Sequence, residues 1–166
     1  MKRSDAFELI CPKCGNRLIQ RGNSLYCGEN HCYDVAKTGY VNFVLGGKKE
    51  SGDAKELIEA RERVMEKGYY RALYDFVKGE FSFGAGDVVV DAGTGDGSFA
   101  GKLKEFFPSA AVAGTDLSKY AISRAAKKYP DVFFAVANNR RLPFADRSVM
   151  ALFSVFTTAF PEEAAR

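Results

Sequence analysis

Asp91-Ala92-Gly93-Thr94-Gly95-Asp96-Gly97 follows directly on the apolar run Val88-Val89-Val90. A buried strand running into three closely spaced glycines is a backbone shaped to lie against a ligand, because glycine has no Cβ and takes positive φ at little cost. Ser98 to Phe107 read as a helix whose free N–H groups face the same place. Ala110 to Thr115 read as the next strand, with Asp116 at its end. A carboxylate there can accept hydrogen bonds from both ribose hydroxyls of a nucleoside. The spacing departs from a dinucleotide fold, which prefers Gly-x-Gly-x-x-Gly. Ser98 stands where that third glycine falls, and an acid, Asp91, heads the loop. Glycines placed for packing alone would not explain strand, glycine loop, helix, strand and terminal acid in that order.

A second set of reactive side chains lies near the N-terminus. All four cysteines fall within residues 11–32, as Cys11-Pro12-Lys13-Cys14 and Cys27-Gly28-Glu29-Asn30-His31-Cys32, and His31 is the chain's one histidine. In a cytosolic protein such clustering argues for zinc and not for disulfides. Cys-x-x-Cys on a tight knuckle points two sulfurs at one ion, and Gly15 relieves the turn. Structural zinc takes four ligands in a tetrahedron, so two more come from Cys27, His31 and Cys32. Neighbours in an extended chain point to opposite faces, which makes His31 and Cys32 alternatives, and spacing does not choose between them. A redox pair would follow a strand and open a helix. Here Pro12, Gly15 and the short pairs Leu9-Ile10, Leu18-Ile19 and Leu25-Tyr26 read as a ribbon. So short a segment needs a metal staple, because it cannot bury a sufficient core alone.

The elements that position these residues fall into three parts: a ribbon module over 1–45, a linker and helical segment over 46–83, and a nucleoside-binding domain over 84–166. Gly46 to Gly52 read as a flexible linker. Asp53 opens a helix in which Leu57, Ala60 and Val64 follow helical spacing, and Gly68 ends it. Tyr70 to Lys78 read as a second helix, and Gly84-Ala85-Gly86-Asp87 as the turn into the first strand. Beyond the glycine loop, a helix capped by Ser118 runs to Lys128, a short strand covers Val132–Val136, and another covers Val149–Val155. Helices alternating with apolar strands imply a parallel sheet covered on both faces.

Composition sets the bounds. The chain has 166 residues, 46% hydrophobic and 27% charged, within the range of soluble globular proteins. No leader pattern opens it and no apolar stretch is long enough for a membrane span, so no membrane partner and a cytoplasmic location are expected. Residues 1–52 carry 8 Lys/Arg and 5 Asp/Glu, while residues 53–166 carry 16 of each. The excess charge of +3 therefore sits on the ribbon side, which suits either a solvated surface or RNA.

The Asp91–Gly97 run resembles motif I of class I S-adenosylmethionine (SAM) methyltransferases. Joined to Cys-Pro-Lys-Cys at 11–14, Cys27 with His31, Asp34-Val35-Ala36-Lys37 with Gly39-Tyr40-Val41-Asn42, Gly52-Asp53, Ala60-Arg61, Gly68-Tyr69-Tyr70 and Arg141-Leu142-Pro143-Phe144, it resembles the bacterial 23S rRNA (guanine-N1)-methyltransferases. That resemblance implies an α/β fold: a Rossmann-like class I parallel sheet, here C-terminally truncated, with a small N-terminal zinc ribbon. It implies Cys11, Cys14, Cys27 and His31 as zinc ligands, leaving Cys32 as an extra. It implies SAM contacts at Tyr70, Gly95 and Asp96. With Asp91, Gly93, Thr94, Gly97, Asp116, Leu117 and Asn138 these make the expected cofactor site. The implied partner is 23S rRNA, and a homodimer is an option. The chain departs from the family in carrying Asp96 where a longer acid is usual. It also shows four strands of the seven such a sheet has, which reads as part of a longer enzyme. The Val149–Val155 edge is then expected to be covered by another chain or by missing elements, and these residues alone are expected to be inactive.

The sulfonium of SAM is already activated, so alignment and water exclusion are the main requirements. Guanine N1 carries a proton at neutral pH, and a general base would help remove it. Ser154 to Phe160, on the acceptor side, contain no carboxylate, and no catalytic base is named. Phe156 or Phe160 could stack on a base, although ordinary packing is the simpler reading of both. Lys37, Tyr40 and Asn42 could touch RNA or anchor the ribbon. Two alternatives stand beside this reading: a small-molecule SAM methyltransferase, and a non-catalytic zinc-ribbon module that binds RNA.

Overall fold

The computed structural model of the chain describes residues 3–44 and 55–166. The expected linker over 46–52 and the helix start at Asp53 lie outside the described residues. The ribbon is an antiparallel sheet of three short strands, β1 (Ile19–Arg21), β2 (Ser24–Tyr26) and β3 (Cys32–Asp34), in that order. A two-residue strand, β4 (Val41–Asn42), then leaves the ribbon. Two helices follow, α1 (Lys55–Glu66) and α2 (Arg71–Glu80). Regular alternation then gives β5 (Val88–Ala92), α3 (Ser98–Phe106), β6 (Ala111–Asp116), α4 (Lys119–Lys128), β7 (Phe133–Val136), β8 (Ala151–Phe153) and the short α5 (Pro161–Ala164). No described helix is long and apolar enough to cross a membrane.

The second sheet is parallel throughout and runs β4-β7-β6-β5-β8. It has five strands where four were expected. The fifth is β4, whose Val41 and Asn42 pair with Ala135 and Val136. Two residues are too few to show a period in the sequence. The last strand is shorter than expected, since only Ala151 to Phe153 pair with β5. Among the described residues β8 is one edge of the sheet and β4 the other.

Alternation along the strands divides the core in two. Val89, Val112, Phe134 and Val136 face α2, α3 and α4, where Val77, Phe99, Leu103 and Ile122 are buried against them. Val88, Val90, Ala113, Phe133 and Ala135 point the other way, and the ribbon covers them with Phe7, Leu9, Leu18, Leu25 and Tyr33. Helices on both faces were expected. Instead the zinc ribbon replaces the helical layer on one face, with Phe7 packed on Phe133 at 5.1 Å between ring centres.

The docked face of α1 also differs from expectation. Leu57 and Val64 are exposed at 43% and 39%, whereas Ile58 is 2% exposed. The neighbouring surface decides this. Tyr120, Arg124 and Lys128 on α4 meet Glu59 and Glu62 at 3.0, 2.7 and 2.6 Å, so α1 turns its acidic face to α4. Ser118 does cap α4, accepting from the Ala121 amide at 3.3 Å.

Candidate functional site

The C-terminal ends of the parallel strands open on a cleft of about 780 Å³, within the range of small-ligand sites. Tyr70, Gly93, Thr94, Gly95, Asp96, Asp116, Leu117 and Asn138 line it. Asp91 and Gly97, named with them from the sequence, lie behind the lining. Asp91 is 1% exposed and accepts from the Thr94 hydroxyl at 2.6 Å. Burial pushes its carboxyl up to about 7, against the Thr94 hydrogen bond and with help from the charges of Asp116 and Asp96.

Each glycine of the turn answers a different steric demand. Gly97 has φ +79°, and a Cβ there would stand 2.7 Å from the Ala125 methyl and 3.0 Å from the Phe134 ring. It is the cap of α3 and packs that helix onto the sheet. Gly93, at φ +80°, would meet Thr157 at 2.5 Å. Gly95, at φ +55°, has nothing within 4 Å of a would-be Cβ, so it presents bare backbone to open space in the lining of the cleft. The amides of Gly93 and Thr94 both donate to the Thr115 carbonyl at 2.8 Å, which ties the turn to β6.

Asp116 ends β6. Its Oδ2 accepts from the Gly95 amide at 3.0 Å and its Oδ1 from the Ser118 amide at 2.8 Å. Those bonds orient the carboxylate at the cleft. Asp96 accepts from the Ser98 amide at 3.3 Å and from the Ser98 hydroxyl, closing the start of α3. Asp96 and Asp116 in the lining suit a ligand with cationic groups and a ribose.

Seven lining residues were not named as site residues from the sequence: Ile58 and Arg61 of α1, Asn139, Arg140, and Val155, Thr157 and Thr158 of the acceptor-side segment. Of these Arg140 carried a signal, since it adjoins the Asn138-Asn139 loop. On the acceptor side Phe156 is 73% exposed with φ +57°, and its ring stands 5.2 Å from that of Tyr70. Its ring thus meets Tyr70 and is largely exposed among the described residues. Phe160 is half-buried beneath the Arg140 guanidinium, 4.5 Å from its ring centre. Tyr40 is buried in the helical-side core and Asn42 accepts from the Val44 amide, so both anchor the exit strand. A larger cleft, about 1190 Å³, lies at the other end of the sheet between Ala111, Val132 and Lys104. Ligands of open α/β sheets bind at the strand carboxyl ends, away from it.

In the ribbon, one ligand atom from each of Cys11, Cys14, Cys27 and His31 lies within 4.8 Å of the other three. His31 Nδ1 stands 3.4 Å from the sulfurs of both Cys11 and Cys27, and Cys14 Sγ is 3.6 Å from Cys27 Sγ. Zinc bond lengths in a tetrahedron give edges of about 3.8 Å between sulfurs and about 3.6 Å from sulfur to nitrogen, so the donor set fits the ion. Burial raises the Cys11 thiol, but hydrogen bonds from the Tyr33 hydroxyl and from the Cys14 and Lys13 amides outweigh it and hold it at about 6. Cys32 is not in the group; it lies on β3, and its thiol meets the Tyr26 hydroxyl.

Two family models match separate stretches of the chain. The family described as RlmA, N-terminal, a zinc ribbon, matches residues 9–51. The family described as Methyltransferase domain matches residues 89–166. The 23S rRNA (guanine(748)-N(1))-methyltransferase of Streptomyces fradiae is 32% identical over 171 residues, covering 100% of this chain and 61% of the relative. Proteins named as 23S rRNA (guanine-N(1)-)-methyltransferases from Micromonospora griseorubida and Bacillus subtilis are 35% and 36% identical, over 89% and 95% of this chain and 57% and 59% of theirs. The chain thus spans about three-fifths of the length of these curated relatives. Its two cofactors are those of its two domains, zinc for the ribbon and SAM for the methyltransferase domain.

Proposed function

We propose that this chain, which belongs to the family joining an RlmA-type zinc ribbon to a methyltransferase domain, takes part in SAM-dependent methylation of N1 of a guanine in 23S rRNA. The observation that carries the reading is the joint one: a ribbon of this type and a glycine-turn cleft share one chain and one core. In a small-molecule enzyme the ribbon would serve only structure or dimerisation, and a vestigial domain would have no need of the intact turn.

SAM, when bound, supplies the activated methyl group. The chain's own residues do the rest. Asp116 takes the ribose hydroxyls. Gly93, Thr94, Gly95, Asp96 and Leu117 wall the nucleoside, with Asn138 at the rim and Tyr70 toward the reacting end. Asp91 and Gly97 support the turn from behind. Cys11, Cys14, Cys27 and His31 hold one zinc ion. Phe156, exposed beside Tyr70, offers a face on which the acceptor base can stack. The acceptor RNA places the reaction in the cytoplasm, and pairing of two copies along β8 is the form a homodimer would take.

The protein expressed from its own gene is incubated with labelled SAM and 23S rRNA from a strain lacking the modification, and the methylated nucleotide is mapped. Label on N1 of one guanine is expected. Label on another atom, or transfer to small molecules with none to rRNA, would overturn the reading.

A further inference from the structure

Tyr33 stands between the metal centre and the parallel sheet. It is 2% exposed, and its hydroxyl lies 3.1 Å from Cys11 Sγ. Its ring packs on Phe43, 5.0 Å between centres and tilted by 55°. Phe43 follows β4 directly, and its amide donates to the Val136 carbonyl at 2.9 Å. Val136 pairs with Asn42 on one side and Asp116 on the other. The next amide, Ala137, donates to the Asp116 carbonyl at 3.0 Å, and Asn138 of the cleft comes after it. A short chain of contacts therefore runs from a metal-binding sulfur to the strand ends that carry Asp116 and Asn138.

We propose that Tyr33 is a positioning residue with two separable roles, its hydroxyl holding the Cys11 thiolate for zinc and its ring seating β4 against the cofactor end of the sheet. This rests on the reading that the ribbon takes zinc and the cleft takes SAM. An O–H donated to a thiolate is a charge-assisted bond. Outer-shell bonds of this kind orient a ligand and hold the metal, and losing one costs typically 10–100-fold in metal affinity. The ring's role is different. β4 pairs through two residues only, too few to hold an edge strand by its ladder, so Val41 and Phe43 in the core must hold it. Removing the ring leaves Phe43 without a wall, whereas removing the hydroxyl leaves the packing intact.

Tyr33→Phe and Tyr33→Ala separate the two roles. Zinc release to a chromogenic chelator, the thiolate–metal absorption of the cobalt-substituted protein, and the affinity for S-adenosylhomocysteine at saturating zinc are measured for both and for wild type. Tyr33→Phe is expected to lose zinc about 10–100-fold more readily and to shift the cobalt–thiolate bands, with homocysteine-ligand affinity within about twofold of wild type. Tyr33→Ala is expected to weaken that affinity even with zinc saturating. Wild-type zinc release and an unshifted cobalt spectrum in Tyr33→Phe would overturn the first role. Unchanged ligand affinity in a folded, zinc-saturated Tyr33→Ala would overturn the second. A wild-type protein that binds no zinc, or no S-adenosylhomocysteine, would instead overturn the underlying reading.

Discussion

The zinc knuckle and the glycine turn both fix the placement of functional atoms, by opposite means. In the knuckle, the four donors come from two loops, one closed by the single Ile10–Arg17 bridge and the other by the three-residue strands β2 and β3. Little local structure exists to hold them, so the metal itself must. In the turn, Val88 to Ala92 are buried along the whole of β5, and Gly97 is wedged against Ala125 and Phe134. There the fold holds the backbone before any ligand arrives. Order in the knuckle should be lost with its ion, and order in the turn should survive an empty cleft.

Removing the metal should therefore have the largest effect. Structural zinc in small ribbons contributes on the order of 10 kcal/mol of folding free energy near neutral pH. Chelation, or Cys27→Ser, is expected to abolish the ribbon's protected amides in hydrogen exchange and, because the ribbon covers Val90 and Ala113, to lower the protection of those of β5 and β6 without abolishing it. Loss of protection in both regions together would mean that the two are not held independently.

The next test lies within the turn. Gly97→Ala forces a positive φ and a clash on the same residue and is expected to destabilise the fold by about 2–4 kcal/mol. Gly95→Ala meets only the backbone cost, about 1–2 kcal/mol, because the space beside it is open. Its methyl enters the cleft, so ligand affinity should fall more than stability. Melting temperature and calorimetry on both variants check the contrast. Equal melting temperatures would show that packing of α3 does not depend on Gly97.

Acidity sharpens the comparison further. Asp91 has its carboxyl raised from 3.8 to about 7, by burial first. A raised acid binds its proton more tightly folded than unfolded. Its contribution to stability is thus fully present below about pH 4 and is lost as pH rises to about 7. The ligand-free Asp91→Asn variant should lack that decline, so its melting temperature should gain on wild type between about pH 4 and about pH 7, the window set by the raised pKa. Parallel pH curves would show that Asp91 is ionised throughout. The smallest effect belongs to the knuckle: Cys32→Ser, outside the donor group, should leave zinc stoichiometry at one. Loss of the ion in Cys32→Ser, with His31→Ala retaining it, would reverse the ligand assignment.

What could be read from the sequence follows the same division. Cys11, Cys14 and Cys27, with either His31 or Cys32, announce themselves by type and spacing, because metal chemistry admits few residues; the choice of His31 came only with the family resemblance. The glycine turn is legible because strand, glycines and terminal acid must come in order. The docked face of α1 was not legible, since Leu57 and Val64 form the more regular stripe but α4 offers it Arg124 and Lys128. Nor was β4, two residues long, or the choice of ribbon over helices to cover Val90 and Phe133. Such choices are made by surfaces far apart in sequence, where local pattern carries no information.

On the proposed reading, this cleft is a nucleoside-cofactor site in which Asp116 would take the ribose. Calorimetry of S-adenosylhomocysteine on wild type and Asp116→Ala tests it most directly. One site per chain is expected in wild type. Loss of charge-assisted bonds worth about 1.5–3 kcal/mol each predicts an affinity at least tenfold weaker in Asp116→Ala. Equal affinity in the two folded proteins would contradict the placement.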